Sequence, residues 1–138
     1  MPIFQYGYDT QMKPKITYHN DGTTSEKSYK IYLTDTSHKP DYELNMPVQK
    51  WINFVFNYND NDIDLFIDGN LERSFTFNEN RKMPMYDSFS DNITVGSKNG
   101  IRGAISNISY YTKPLTKAQI ATNYNIFMTN NAPMTLKI

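Results

Sequence analysis

The sequence contains no cysteine. A disulfide framework, a thiolate zinc site and a cysteine nucleophile are therefore excluded. It also lacks a bias of charge, with 14 basic and 14 acidic residues and a formal net charge of zero. Nucleic-acid binding rests on a basic excess or stripe set against phosphate, so no nucleic-acid partner is expected. No apolar run approaches the ~20 residues of a membrane-crossing helix, and no membrane insertion is expected. The opening MPIFQYGYDT has neither the basic start nor the apolar centre of a secretory signal. No glycine-rich loop leads from a strand into a helix, and no serine sits in a nucleophile elbow, so nucleotide binding and serine hydrolysis have no footing. The two histidines, His19 and His38, lie far apart without acidic partners at ligand spacing and read as surface or loop residues.

What is abundant is aromatic and turn-forming. Aromatics make up 14% of the chain, led by 11 tyrosines, which suits half-buried pleated surfaces. The length of 138 residues fits one domain with one core.

The most informative stretch is 49–77, QKWINFVFNYNDNDIDLFIDGNLERSFTF. It reads as three strands joined by two turns. The second turn is Asp68-Gly69 between alternating apolar runs, a strong hairpin signal because glycine takes positive φ freely and aspartate tolerates it. In the first strand, Trp51 to Tyr58, Ile52, Phe54, Phe56 and Tyr58 share one face, and Trp51, Asn53, Val55 and Asn57 the other. Bulk on both faces places this strand in the middle of a sheet. In the second, Ile63, Leu65 and Ile67 oppose Asp62, Asp64, Phe66 and Asp68. The third, from Leu71, has the looser pattern of an edge.

Around it, strands are expected at 3–8, 15–19, 28–34, 42–44, 92–96 and 101–111, the last bent near Gly103. An Asp21-Gly22 turn follows the second of these. A tight turn is expected at Lys98-Asn99-Gly100, and residues 78–91 form a long polar loop. One helix, about 116–126, breaks the β pattern. Thr116 can cap it with Gln119 completing a capping box, and Leu115 can staple to Ile120. The tail from Asn130 reads as extended.

Four pieces in order carry a family resemblance: Trp51 opening W-x-x-F-V-F-x-Y, the hairpin DLFIDGNLERS, the strand ITVGS at 93–97, and GAISNISYYTKPLTKAQI at 103–120. Together they resemble the concanavalin A-like lectin/glucanase superfamily, in its laminin-G-like and pentraxin-like branch. The resemblance implies an all-β fold, an antiparallel jelly-roll sandwich with one short C-terminal helix, spanning 1–138 as one domain. Family domains run longer, so it also implies a domain lacking its first strands, whether trimmed, a fragment, or completed by a partner strand. Members mostly bind glycans or proteins through a concave sheet or rim loops, some are glycosidases, and many bind Ca²⁺ at the rim. Virion, cell-surface or extracellular settings follow from the same resemblance, as does membership of a larger assembly. The absence of cysteine and of a leader, with many asparagines, fits a structural or decorating protein of a virus particle.

Each chemistry can be set against the residues. A glycosidase needs an acid and a nucleophile or base across the scissile bond, about 5–5.5 Å apart for retention. The glucanase branch takes three carboxylates from one strand. Here Asp62 and Asp64 share a face, about 7 Å apart along the strand, but Phe66 or Ile67 stands where the third would be. The pair reads first as a solvated strand face, with Asp68 accounted for by the turn, and is better suited to ligand contact than to catalysis. Asp60 and Asp62 in the turn 59–62, and the acids of 87–91, offer hard oxygens of the kind Ca²⁺ takes, although such clusters also build ordinary turns. Asp60 and Asp62 are the metal-ligand candidates. Tyr32, Tyr86, Tyr110 and Tyr111 are the aromatics expected to reach a surface. With Asp62 and Asp64, the first three of these tyrosines are the ligand-binding candidates. Trp51 could stack on a sugar, but the family position packs inside. The sequence thus points to a non-catalytic module for a glycan or protein surface, with a degenerate or incomplete glycoside hydrolase as the rival.

Overall fold

The computed structural model describes residues 1–8, 13–20, 27–34, 39–47, 50–78, 82–84, 86, 90–101 and 103–130. Its strands are β1 (Pro2–Gly7), β2 (Lys15–Asn20), β3 (Lys27–Tyr32), β4 (Tyr42–Leu44), β5 (Phe54–Tyr58), β6 (Asp62–Ile67), β7 (Asn70–Thr76) and β8 (Asn92–Val95), followed by one helix, α1 (Lys117–Asn130). They form a five-stranded sheet, β4-β3-β2-β1-β8, and a three-stranded sheet, β5-β6-β7. Every pairing is antiparallel. Two antiparallel sheets and a short C-terminal helix are the class the sequence implies. The chain divides into two compact units, each built from two stretches: 1–49 with 77–104, and 50–76 with 105–138.

The first unit holds the five-stranded sheet. Ile16 lies opposite Ile31 across the β2–β3 ladder, and both are buried. The Tyr18 and Tyr29 rings, two rungs further, lie 5.1 Å apart on the same face. Burial, and then the neighbouring Tyr18 phenol, push the Tyr29 hydroxyl above its ordinary pKa. Beyond β3 the buried Leu33 and Thr34 are held by Asp41. Its Oδ2 accepts from the Leu33 amide at 2.7 Å and the Thr34 amide at 3.3 Å, and its Oδ1 from the Thr34 hydroxyl at 3.3 Å. The expected tight turn closes with the Gly100 amide on the Ser97 carbonyl at 2.8 Å.

The second unit holds the meander. Asp68 and Gly69 have φ of 51° and 79°, two successive left-handed residues that let Ile67 pair with Asn70. This is the tight hairpin the Asp-Gly step signals. The Asp68 carboxylate also accepts from the Asn53 amide at 2.9 Å. Ile63, Leu65 and Ile67 fill one face of β6, and Phe66 is buried on the other. The register slips between Leu65 and Phe66, where Glu72 of β7 is an extra residue. The capping box forms as expected: the Thr116 amide donates to Gln119 Oε1 at 2.9 Å and the Gln119 amide to Thr116 Oγ1 at 3.2 Å. Ile120 is buried, and the Tyr124 ring lies so close over Gly69 that a Cβ there would stand 2.9 Å from its Cδ1.

Four expectations are corrected. β6, not β5, is the central strand; β5 has one partner among the described strands, so Phe54 and Phe56 are only half-buried. β6 can sit centrally because Asp64 and Asp68 are absorbed by hydrogen bonds. Trp51 is 40% exposed, since the ladder begins only at Phe54. No strand forms among the described residues of 101–111, where Asn107 adopts φ of 55°, outside extended geometry. The helix runs four residues further than expected, to Asn130 rather than 126. The expected Asp21-Gly22 turn, His38, and the tail beyond Asn130 lie outside the described residues.

Candidate functional site

The β2–β3 register sets Lys15 opposite Tyr32. The β1–β2 register continues the row to Gln5, and β1–β8 carries it on to Thr94. Side chains alternate across a strand, so this row lies on the side opposite the buried Ile16 and Ile31. Lys30, two residues before Tyr32, shares that side and pairs with Glu43 on β4 at 3.3 Å. The outer side of this sheet is therefore polar and holds lysines.

At its Tyr32 end, two ammonium groups converge on one ring. Lys13 Nζ and Lys15 Nζ each lie 5.5 Å from the Tyr32 centroid. The negative face of the ring attracts both. Tyr86, from the long connection before β8, supports the arrangement from a distance in sequence. Its hydroxyl donates to the Lys13 carbonyl at 2.7 Å and its ring packs on Tyr6 at 5.3 Å. Tyr32 and Tyr86 are thus brought together through Lys13. The sequence pattern shows the two tyrosines but misses the lysines. A signal was available, because pairing the strands at 15–19 and 28–34 as a hairpin sets Lys15 against Tyr32.

The acidic candidates lie in the other unit. Asp60 is exposed in the β5–β6 turn, which closes with the Asn59 amide on the Asp62 carbonyl at 2.8 Å. Asp64 stands in a cross-strand row with Asn57 and Ser74. Its carboxylate accepts from the Ser74 hydroxyl and, at 3.3 Å, from the Asn59 side-chain Nδ2. It fastens β7 and the turn to β6. Asp62, two residues earlier, lies on the same side, opposite Thr76. Among the described residues no group of three or more His, Cys, Asp or Glu side chains is placed to hold a metal ion. Asp60 and Asp62 are two carboxylates of one turn, the donor type that Ca²⁺ takes. Of the other oxygen-rich loop, 87–89 lie outside the described residues. Tyr110 is 65% exposed and Tyr111 51%, as expected of surface aromatics.

The laminin-G-like family model of the concanavalin A-like lectin/glucanases superfamily matches residues 4–121, from β1 into the first turn of α1. No curated protein and no solved structure shows a significant match to the chain. The two antiparallel sheets and the short C-terminal helix are consistent with a β-sandwich of that superfamily.

Proposed function

The chain belongs to the concanavalin A-like lectin/glucanases superfamily, and from that membership we propose that it is a non-catalytic module binding a glycan or a protein surface. The match runs through pieces of both compact units, which supports reading 1–138 as one domain. The observation that carries the binding reading is the polar outer side of the five-stranded sheet. There an aromatic ring, two ammonium groups, an amide and a hydroxyl stand in neighbouring positions. Such a mixture contacts sugar rings or polar protein surfaces and performs no bond chemistry by itself.

The acids support the same reading. Hydrolysis of a glycosidic bond needs two carboxylates available across it. Asp64 is engaged by Ser74 and Asn59, and Asp68 by the Asn53 amide. These groups act as struts within the meander. Nothing in the fold or the family match bears on a virus particle, and the proposal includes none.

The test is a glycan array on the purified chain, with and without Ca²⁺, paired with a reducing-end assay on the same sugars. Binding without release of reducing ends is expected. Release would favour the hydrolase reading. Absence of glycan binding in both conditions, with no protein captured by the sheet's outer side, would leave a purely structural role and sink the proposal.

A further inference from the structure

We infer that residues 103–111 pair with the same stretch of a second copy of this chain, as two antiparallel strands centred on Asn107. The pairing does not depend on what the module binds. The stretch reads GAISNISYY. It alternates as a strand does and holds no charged residue. Yet no strand forms there among the described residues. Backbone amides and carbonyls require partners, from the chain, from water or from another molecule. Among the described residues, 103–109 take part in no hydrogen bond. Ile108, Tyr110 and Tyr111 are 44%, 65% and 51% exposed. Backbone groups and apolar side chains thus stand open along one continuous segment.

The order of residue sizes points to the occupant. When two identical strands pair antiparallel about Asn107, residues equally far from the centre face each other. Ser106 then faces Ile108 of the second copy, and Ala104 faces its Tyr110. On the other side of the strand, Ile105 faces Ser109 and Gly103 faces Tyr111. Every one of these pairs sets a small residue against a large one. The seam therefore closes without crowding and without gaps. An aromatic ring over a cross-strand glycine is itself a favourable pair. At the centre Asn107 meets its own copy, and both carboxamides donate and accept.

No charge opposes the approach of two copies. The edge strand β7, by contrast, carries Glu72 and Arg73, charged side chains of the kind that guard an edge against pairing. Asn107 now stands at φ of 55° and must extend for the strands to pair. Asparagine moves between the left-handed and extended regions at less cost than most residues. A single strand of this length buries less than the ~800 Å² per partner of a standard interface, so association depends on concentration.

Sedimentation equilibrium of the full chain across a range of concentrations tests this. A monomer–dimer equilibrium is expected, half-associated at roughly 10–100 µM. Ser106→Lys and Ile108→Glu should each weaken it at least about tenfold, since each brings two like charges to diagonal positions across the seam. An equal mixture of the two variants should associate again, because the introduced lysine then faces the introduced glutamate. Hydrogen exchange at 103–111 should slow with concentration in the wild type and not in either variant alone. Both positions are exposed, so thermal melts of the variants should match the wild type. Asn107→Lys, which sets two ammonium groups face to face at the centre, carries the test if either variant fails to fold. A chain that is monomeric at every concentration overturns the inference, as does a dimer that neither variant weakens. Variants that dissociate singly and do not associate when mixed overturn the register, and the seam with it.

Discussion

The Asn57 carboxamide makes two hydrogen bonds of 3.0 Å with the backbone of Leu115, 58 residues further along the chain. Its Nδ2 donates to the Leu115 carbonyl and its Oδ1 accepts from the Leu115 amide. A side chain here does what a neighbouring strand would do. It anchors the segment that leads into α1 on the side of the sheet that also carries Asp64. Asn57 is only 8% exposed, so water cannot easily take over either bond.

Asn57→Ala is therefore expected to cost about 2–3 kcal/mol, the net value of two hydrogen bonds plus the penalty of unpaired backbone groups. Asn57→Asp keeps the acceptor but sets a buried carboxylate against the Leu115 carbonyl and opposite Asp64, and should cost at least as much. Urea unfolding of the three proteins checks this. A loss below about 0.5 kcal/mol for the alanine variant would mean the Leu115 segment is held by other contacts.

The capping box gives a second expectation. Thr116→Ala should cost about 1 kcal/mol by exposing the Gln119 amide. Gln119→Ala should cost less. The double variant should lose less than the sum, because the two bonds hold the same turn. A double-mutant cycle in denaturant reads the coupling. Strict additivity would contradict the reciprocal pair.

Burial separates two hydrophobic positions that the sequence pattern treats alike. Leu65 is fully buried on the central strand, and Leu65→Ala should cost about 2–5 kcal/mol. Phe56, its neighbour across the β5–β6 ladder, is half-buried on the edge strand. Phe56→Ala should then fall short of the roughly 3–5 kcal/mol of a fully buried aromatic. Equal losses at the two sites would place β5 deeper than its single ladder implies.

Tyr29 predicts a dependence on pH. Its folded pKa is raised by burial and then by Tyr18. As pH rises, the unfolded chain releases this proton before the folded one does. The stability it contributes is whole below the ordinary tyrosine range and is lost as pH climbs through that range. Unfolding midpoints from about pH 8 to about pH 11 should decline, and Tyr29→Phe should flatten the decline. An unchanged slope in the variant would assign the decline to other groups.

Local rules were enough wherever the interacting residues lie close in sequence. Asp68-Gly69 declares its turn because few residue types accept φ of 51° and 79° in succession. Thr116 and Gln119 declare the helix start because a capping box spans three residues. The pattern failed where tertiary context decides. Asn57 looks like a strand residue on a polar side, and nothing nearby announces Leu115. The central position of β6 depends on partners for Asp64 that come from β7 and from the turn. The stretch 101–111 alternates like a strand, yet the left-handed Asn107 interrupts it. For the candidate site, the tyrosines at 32 and 86 were visible as surface aromatics, whereas the lysines that give them chemical character emerge only from the register.

The division of the chain into interleaved units has a consequence for how the protein is made. The ribosome delivers β1 to β4, then the whole β5–β7 meander, before β8 exists to extend the first sheet. Leu115 and α1, which complete the second unit, come later still. A nascent chain that ends near Thr76 therefore presents β1 without its β8 neighbour and Asn57 without its backbone partner. Unpaired strand edges of this kind invite pairing with other chains. Truncation, premature termination or a protease cut between 77 and 104 leaves both units incomplete, since each unit has stretches on both sides of such a cut.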